Sequence, residues 1–169
     1  MPDKRVITPD ACRSLATLRC RRLLRMATFV GAISSKEPLN WDRCKDVGLW
    51  GVPRTTKRVQ EVKPGDRLFI WRGRVGFIAE ARVTGKPRTP TDRSEAPWPG
   101  GPRRFASIIP IEVIREVPKG YRLDFVRDRQ AITGLSTNSL RFGLAPITDD
   151  AGDHISASLM ELEPEITDS

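Results

Sequence analysis

The stretch from Asn40 to Pro53, Asn-Trp-Asp-Arg-Cys-Lys-Asp-Val-Gly-Leu-Trp-Gly-Val-Pro, constrains this chain more than any other. Its spacing predicts a short amphipathic helix from about Pro38 to Val47, with Pro38 in the first turn, where a missing N–H costs nothing. Gly48 supplies the left-handed position that stops the helix, and Trp50-Gly51-Val52 leave it as extended chain ended by Pro53. Such a corner brings together Asn40 and Trp50, ten residues apart in sequence. An amide that donates and accepts, beside a flat aromatic wall, suits a pocket for a planar heterocycle.

The rest of the chain reads as strands arranged about that corner. Met26 to Ile33 is apolar almost throughout and predicts a buried first strand. Ser34, Ser35 and Lys36 follow it. At this point the two serines have two open roles, capping the helix or facing a ligand near its N-terminus. Thr55 to Val62 reads as a flexible polar connection, and Lys63-Pro64-Gly65-Asp66 as a tight turn. Strands are expected over Arg67–Trp71 and Val75–Thr84, reversing at Gly73-Arg74. The alternation sets Trp71 opposite Leu68 and Ile70 without saying which face is inside. Residues 85–104 form a proline-rich loop with Trp98 at its centre, either a lid on the core or a pocket wall. Phe105 to Val117 is a further strand, with Pro110 arguing for an edge or a bulge. A helix is expected over Leu123–Ile132, with Asp124 near its N-terminus and Gly134 at its end. A last strand over Gly143–Ile147 and a helix capped by Thr148 follow. Ile155, Leu159 and Leu162 recur at helical spacing and would close one end of a barrel.

Composition removes several function classes. No apolar run reaches the ~20 residues of a membrane span, and the expected location is cytoplasmic. The three cysteines (Cys12, Cys20, Cys44) show no CxxC spacing, which argues against a zinc site or a disulfide framework. No metal or cofactor is expected. The single histidine, His154, has no ligand or triad partner near it in sequence, and the carboxylates of Glu80, Glu112 and Glu116 lie in strands without visible pairing. No nucleophile elbow or phosphate loop is present, so the chain is not read as an enzyme. The net charge of +8 invites nucleic acid, yet residues 1–25 hold seven bases and two acids and so carry five of the eight surplus charges. We read residues 1–25 as a basic, disordered extension, the alternative being an arm on phosphates. Residues 26–163 are read as one domain, and 164–169 as a frayed tail.

Asn-Trp at 40–41, the short helix, Gly-Leu-Trp-Gly-Val at 48–52 and Lys-Pro-Gly-Asp at 63–66 before an apolar strand resemble the EVE domain, a family grouped with YTH and other PUA-like domains. The resemblance covers about Met26 to Leu162. It implies an α+β fold, a PUA-like small mixed β-barrel flanked by short helices. It also implies a non-enzymatic module that takes a modified, methylated base of DNA or RNA into an aromatic pocket. By that resemblance Trp50 stacks on the base, Trp98 is the loop aromatic facing it, and Asn40 is the polar reader. Ser34, Ser35 and Gly51 would complete the polar edge, and Lys36, Arg103 and Arg104 would meet phosphates. The sequence shows no third pocket wall of the kind YTH readers carry. Two other readings stay open. In a protein-interaction barrel Trp98 would be buried in the core and no cavity would open beside Trp50. A small nucleotide-acting enzyme would need a carboxylate or His154 within reach of the pocket.

Overall fold

The described residues form six strands: β1 (Thr28–Ile33), β2 (Leu49–Pro53), β3 (Arg67–Arg72), β4 (Gly76–Val83), β5 (Phe105–Tyr121) and β6 (Leu144–Ile147). Four helices among the described residues join them: α1 (Asn40–Val47), α2 (Gly101–Arg104), α3 (Val126–Thr133) and α4 (Asp149–Leu162). Single 3-10 turns stand at Val59–Glu61 and Ser139–Phe142. The computed structural model describes residues 26–123, 126–136 and 138–163. The expectations for residues 1–25, for 164–169 and for Asp124 lie outside these.

All six strands join one sheet in the order β2-β5-β4-β3-β1-β6, with β1 and β3 parallel and every other pair antiparallel. The sheet curls until its far strands meet. A β-carbon built on Gly31 of β1 would lie 2.4 Å from the Trp50 ring of β2, and one on Gly143, just before β6, 2.6 Å from Pro53. This is the small mixed barrel with flanking helices expected from the sequence. Alternation sorts its side chains into two cores. Phe29, Ile33, Leu68 and Ile70 point into the curl, with Trp50 and Trp98. Val30, Phe69 and Phe77 point the other way, against Ile155 and Leu159 of α4. The last helix therefore covers the opposite face of the sheet instead of closing a barrel end, and Leu162 is 44% exposed. Its N-terminus is as expected, with Thr148 Oγ1 accepting from the Ala151 N–H.

Other local differences have plain causes. Helix α1 starts at Asn40 because two successive turns, Glu37 N–H to Ser34 O and Asn40 N–H to Glu37 O, hold Pro38 and Leu39 outside it. Its N-cap position is Leu39 with no side-chain cap, so neither serine caps it. Gly48 ends it with φ +63°, as read. The 55–62 connection is pinned by buried Thr56, Val59 and Val62. Pro110 lies inside β5 at the point where that strand changes neighbours: Pro110 pairs Leu49 of β2, and Ile111 pairs Val83 of β4. A residue lacking an N–H fits such a changeover.

Candidate functional site

The corner predicted from Asn40 to Pro53 opens onto a cavity of about 520 Å³, a volume suited to a small planar ligand. The end of β1 supplies Ser34, the turns after it Glu37, α1 Asn40 and Cys44, and β2 Trp50 and Gly51. The 84–104 segment adds Trp98 and Arg104, the β3–β4 hairpin Trp71 and Arg74, and α3 Arg129.

Three tryptophans line the cavity in different ways. Trp98 is 1% exposed and tilts against Phe105 at 5.0 Å between ring centroids, with its six-membered ring over Gly51. Trp50, 3% exposed, lies over Gly31. A β-carbon on Gly51 would fall 2.7 Å from the Trp98 ring, so both glycines make room for an indole. Trp71 is only half-buried; its ring stands nearly perpendicular to that of Phe77 with 5.0 Å between centroids, and the Arg129 guanidinium carbon lies 5.3 Å from its ring. The two marks of a closed barrel thus separate: Trp98 is buried in the core, yet a cavity does open beside Trp50.

The polar side of the cavity is a chain of hydrogen bonds. Arg43 Nη1 donates to Asn40 Oδ1 at 3.0 Å, Asn40 Nδ2 donates to Glu37 Oε2 at 3.0 Å, and Arg104 Nη1 donates to Glu37 Oε1 at 2.5 Å. A guanidinium only donates and a carboxylate only accepts, so the Asn40 amide has its orientation fixed from both ends. One N–H and one lone pair of that amide remain beyond these bonds. The Arg104 hydrogen bond holds Glu37 below the usual carboxylate range, against an opposing effect of burial, and keeps it ionised. Burial pushes the Cys44 thiol up to about 12, so it lines the cavity as a neutral, unreactive group. The Trp98 N–H opposes that rise from close to the thiol without forming a hydrogen bond of good geometry. Neither Trp98 nor Trp50 Nε1 finds such a bond among the described residues, each costing about 1–3 kcal/mol when buried.

Of the expected site residues, Ser34, Asn40, Trp50, Gly51, Trp98 and Arg104 line this one cavity. Ser35, Lys36 and Arg103 do not; all three are exposed, and Ser34 Oγ accepts from the Lys36 N–H. Glu37, Trp71, Arg74 and Arg129 line the cavity but were not read as site residues from sequence. Arg74, at the hairpin tip, has φ +71°, a left-handed conformation uncommon outside glycine. Trp41 is buried and donates from Nε1 to Glu116 at 2.8 Å, where Lys45 also binds. Glu80 is held by Arg67 and Arg115, so these two strand carboxylates have structural partners. His154 Nε2 lies 3.0 Å from the Tyr121 hydroxyl and does not line the cavity. Among the described residues, no three His, Cys, Asp or Glu side chains could together hold a metal ion. No described helix is long and apolar enough to cross a membrane.

Comparison with known proteins agrees with this architecture. No curated protein matches the sequence. Solved structures similar in fold include Rpa0253 from Rhodopseudomonas palustris (17% identity, 85% of this chain and 100% of that one, TM-score 0.57). The Mmi1 YTH domain in complex with RNA is similar at 12% identity over 81% of this chain and 79% of that one, TM-score 0.56. Human THYN1 in complex with DNA containing 5-methylcytosine is similar at 11% identity over 82% and 98%, TM-score 0.51. The EVE domain family model matches residues 32–158, which takes in the corner, five of the six strands whole with the end of β1, and every side chain of the cavity. The chain belongs to the EVE domain family.

Proposed function

We propose that the protein is a non-enzymatic reader that takes one modified base of DNA or RNA into the cavity between Trp71, Trp50 and Trp98. The observation that carries this reading is a 520 Å³ opening walled by three tryptophans, with a fixed asparagine amide on its polar side. Trp71, the half-exposed ring, offers a face on which an incoming base stacks. Trp50 and Trp98 back the deeper part. Stacking contributes ~1–3 kcal/mol per base, comparable with the few kcal/mol needed to turn a base out of a duplex. A methyl group seated in the apolar part adds about 0.8 kcal/mol, enough to tip the balance. Asn40 and Ser34 meet the base edge, with Arg104, Arg74 and Arg129 at the cavity for phosphate and Lys36 and Arg103 on the surface beyond. Those cationic contacts set affinity and salt dependence, not the choice of base. The complexes of Mmi1 with RNA and of THYN1 with DNA containing 5-methylcytosine support nucleic acid as the partner class.

Tryptophan fluorescence during titration with short single strands tests the reading. The strands carry one 5-methylcytosine, 5-hydroxymethylcytosine or N6-methyladenine, in DNA and RNA, with unmodified controls. The expected result is quenching that favours one modified strand and falls about ten-fold or more in affinity in Trp71→Ala and Trp50→Ala. Equal weak binding to every strand, fading with salt, would leave only surface arginines and remove the base pocket.

A further inference from the structure

A second cavity of about 530 Å³ lies beside the first, and the two share a wall. Gly143 and Pro53 both line the first cavity, and a β-carbon at Gly143 would lie 2.6 Å from the Pro53 ring. Two residues beyond Pro53, at Thr55, and one beyond Gly143, at Leu144, the chain already lines the second. The strand β2, which carries Trp50 into the base cavity, ends at Pro53, and the turn after it leads to Lys57 and Arg58 in the lining of the neighbouring cavity. None of the described residues lining this second cavity is acidic, and beside its two cations the lining is part apolar, part hydroxyl, with the Asn138 amide. Arg58 has one ion pair, to Glu61 at 3.8 Å, but both side chains are exposed and such a pair holds a guanidinium weakly. Apolar wall, hydroxyls and cations that are at most weakly paired match the sugar, base and phosphate of a nucleotide.

We propose that the second cavity is the subsite for the nucleotide adjacent to the one held in the first. A single strand then crosses the Pro53–Gly143 wall with its connecting phosphate against Lys57 and Arg58. This inference rests on the base-binding reading of the first cavity and extends its footprint from one nucleotide to two.

The test is a chain-length series measured by isothermal titration on the full chain. The probes are 5-methyl-2′-deoxycytidine and N6-methyl-2′-deoxyadenosine, each as the nucleoside and joined to thymidine through its 5′ or its 3′ oxygen. For the base that binds, one of the two dinucleotides is expected to bind about ten-fold or more tighter than the nucleoside. That gain should weaken with salt as one phosphate contact does, with a slope of about −0.7 in log K against log salt. The Lys57→Ala/Arg58→Ala double variant should lose the gain and keep the nucleoside affinity. Dinucleotides that bind no tighter than a binding nucleoside overturn this inference alone, as does a gain that survives the double variant. Nucleosides that do not bind at all take down the first-cavity reading, and this one with it.

Discussion

At Gly31 and Gly51 the lack of one carbon lets two indoles lie against the backbone of neighbouring strands. Gly31→Ala would place a methyl 2.4 Å from the Trp50 ring, which is held on its other sides by the core. The expected cost is about 1–3 kcal/mol in urea denaturation, typical of overpacking a filled site. A variant as stable as the parent would mean that Trp50 is free to shift, and so is not the fixed wall described above. At the same scale, the ionised Glu37 joins Arg104 to Asn40, tying the 84–104 segment to the foot of α1. Its role as an acceptor explains why the asparagine has one orientation rather than two.

Among the elements, the 84–104 segment matters most to the cavity because it carries Trp98. It is held by its own polar contacts: Arg88 grips Glu95 through two hydrogen bonds of 2.8 and 2.5 Å, and Glu95 accepts from the Thr91 N–H. The Arg88 bonds, and then that backbone bond, lower the Glu95 carboxyl from 4.5 to about 2. A folded-state value below the unfolded one means that the clamp contributes at pH above about 4.5 and is lost as pH falls toward 2. Following the Glu95 carboxyl by NMR should give a midpoint near 2 in the parent, moving toward 4.5 in Arg88→Ala. Midpoints near 4.5 in both proteins would contradict the clamp. The exit from the corner was legible in sequence, because Gly48 and Pro53 bound it by backbone chemistry alone, whereas the helix was expected to start at Pro38 and starts at Asn40. Trp71 was not legible. Period-two alternation fixes which residues share a face but not which face is inside, and a register shift between Ile70 and Trp71 then disturbs the pairing next to the hairpin. Arg74 and Arg129 join the site only through contacts between elements distant in sequence, which local pattern does not carry, and Glu37, though three residues from Asn40, is fixed as its partner by distant Arg104.

Over the whole molecule, curling of one sheet makes the site. β2 and β1 are separated by three strands in the sheet, yet Trp50 of β2 packs on Gly31 of β1. The curled fold was legible through motif resemblance, while the depth of Trp98 was not, since a loop aromatic flanked by prolines fits a lid and a wall equally well. The four indole N–H groups now give a map of the molecule. Three of these tryptophans line the cavity, whereas Trp41 Nε1 is held by Glu116 and its ring does not line it. The most direct measurement is therefore a proton–nitrogen NMR spectrum of the indoles, recorded while a short single strand carrying one 5-methylcytosine or N6-methyladenine is added. The expected result is movement of the Trp50, Trp71 and Trp98 signals with one modified strand, while Trp41 stays fixed and the unmodified control has little effect. Four still signals with both strands, or the same small drift with modified and unmodified strands alike, would contradict the base pocket.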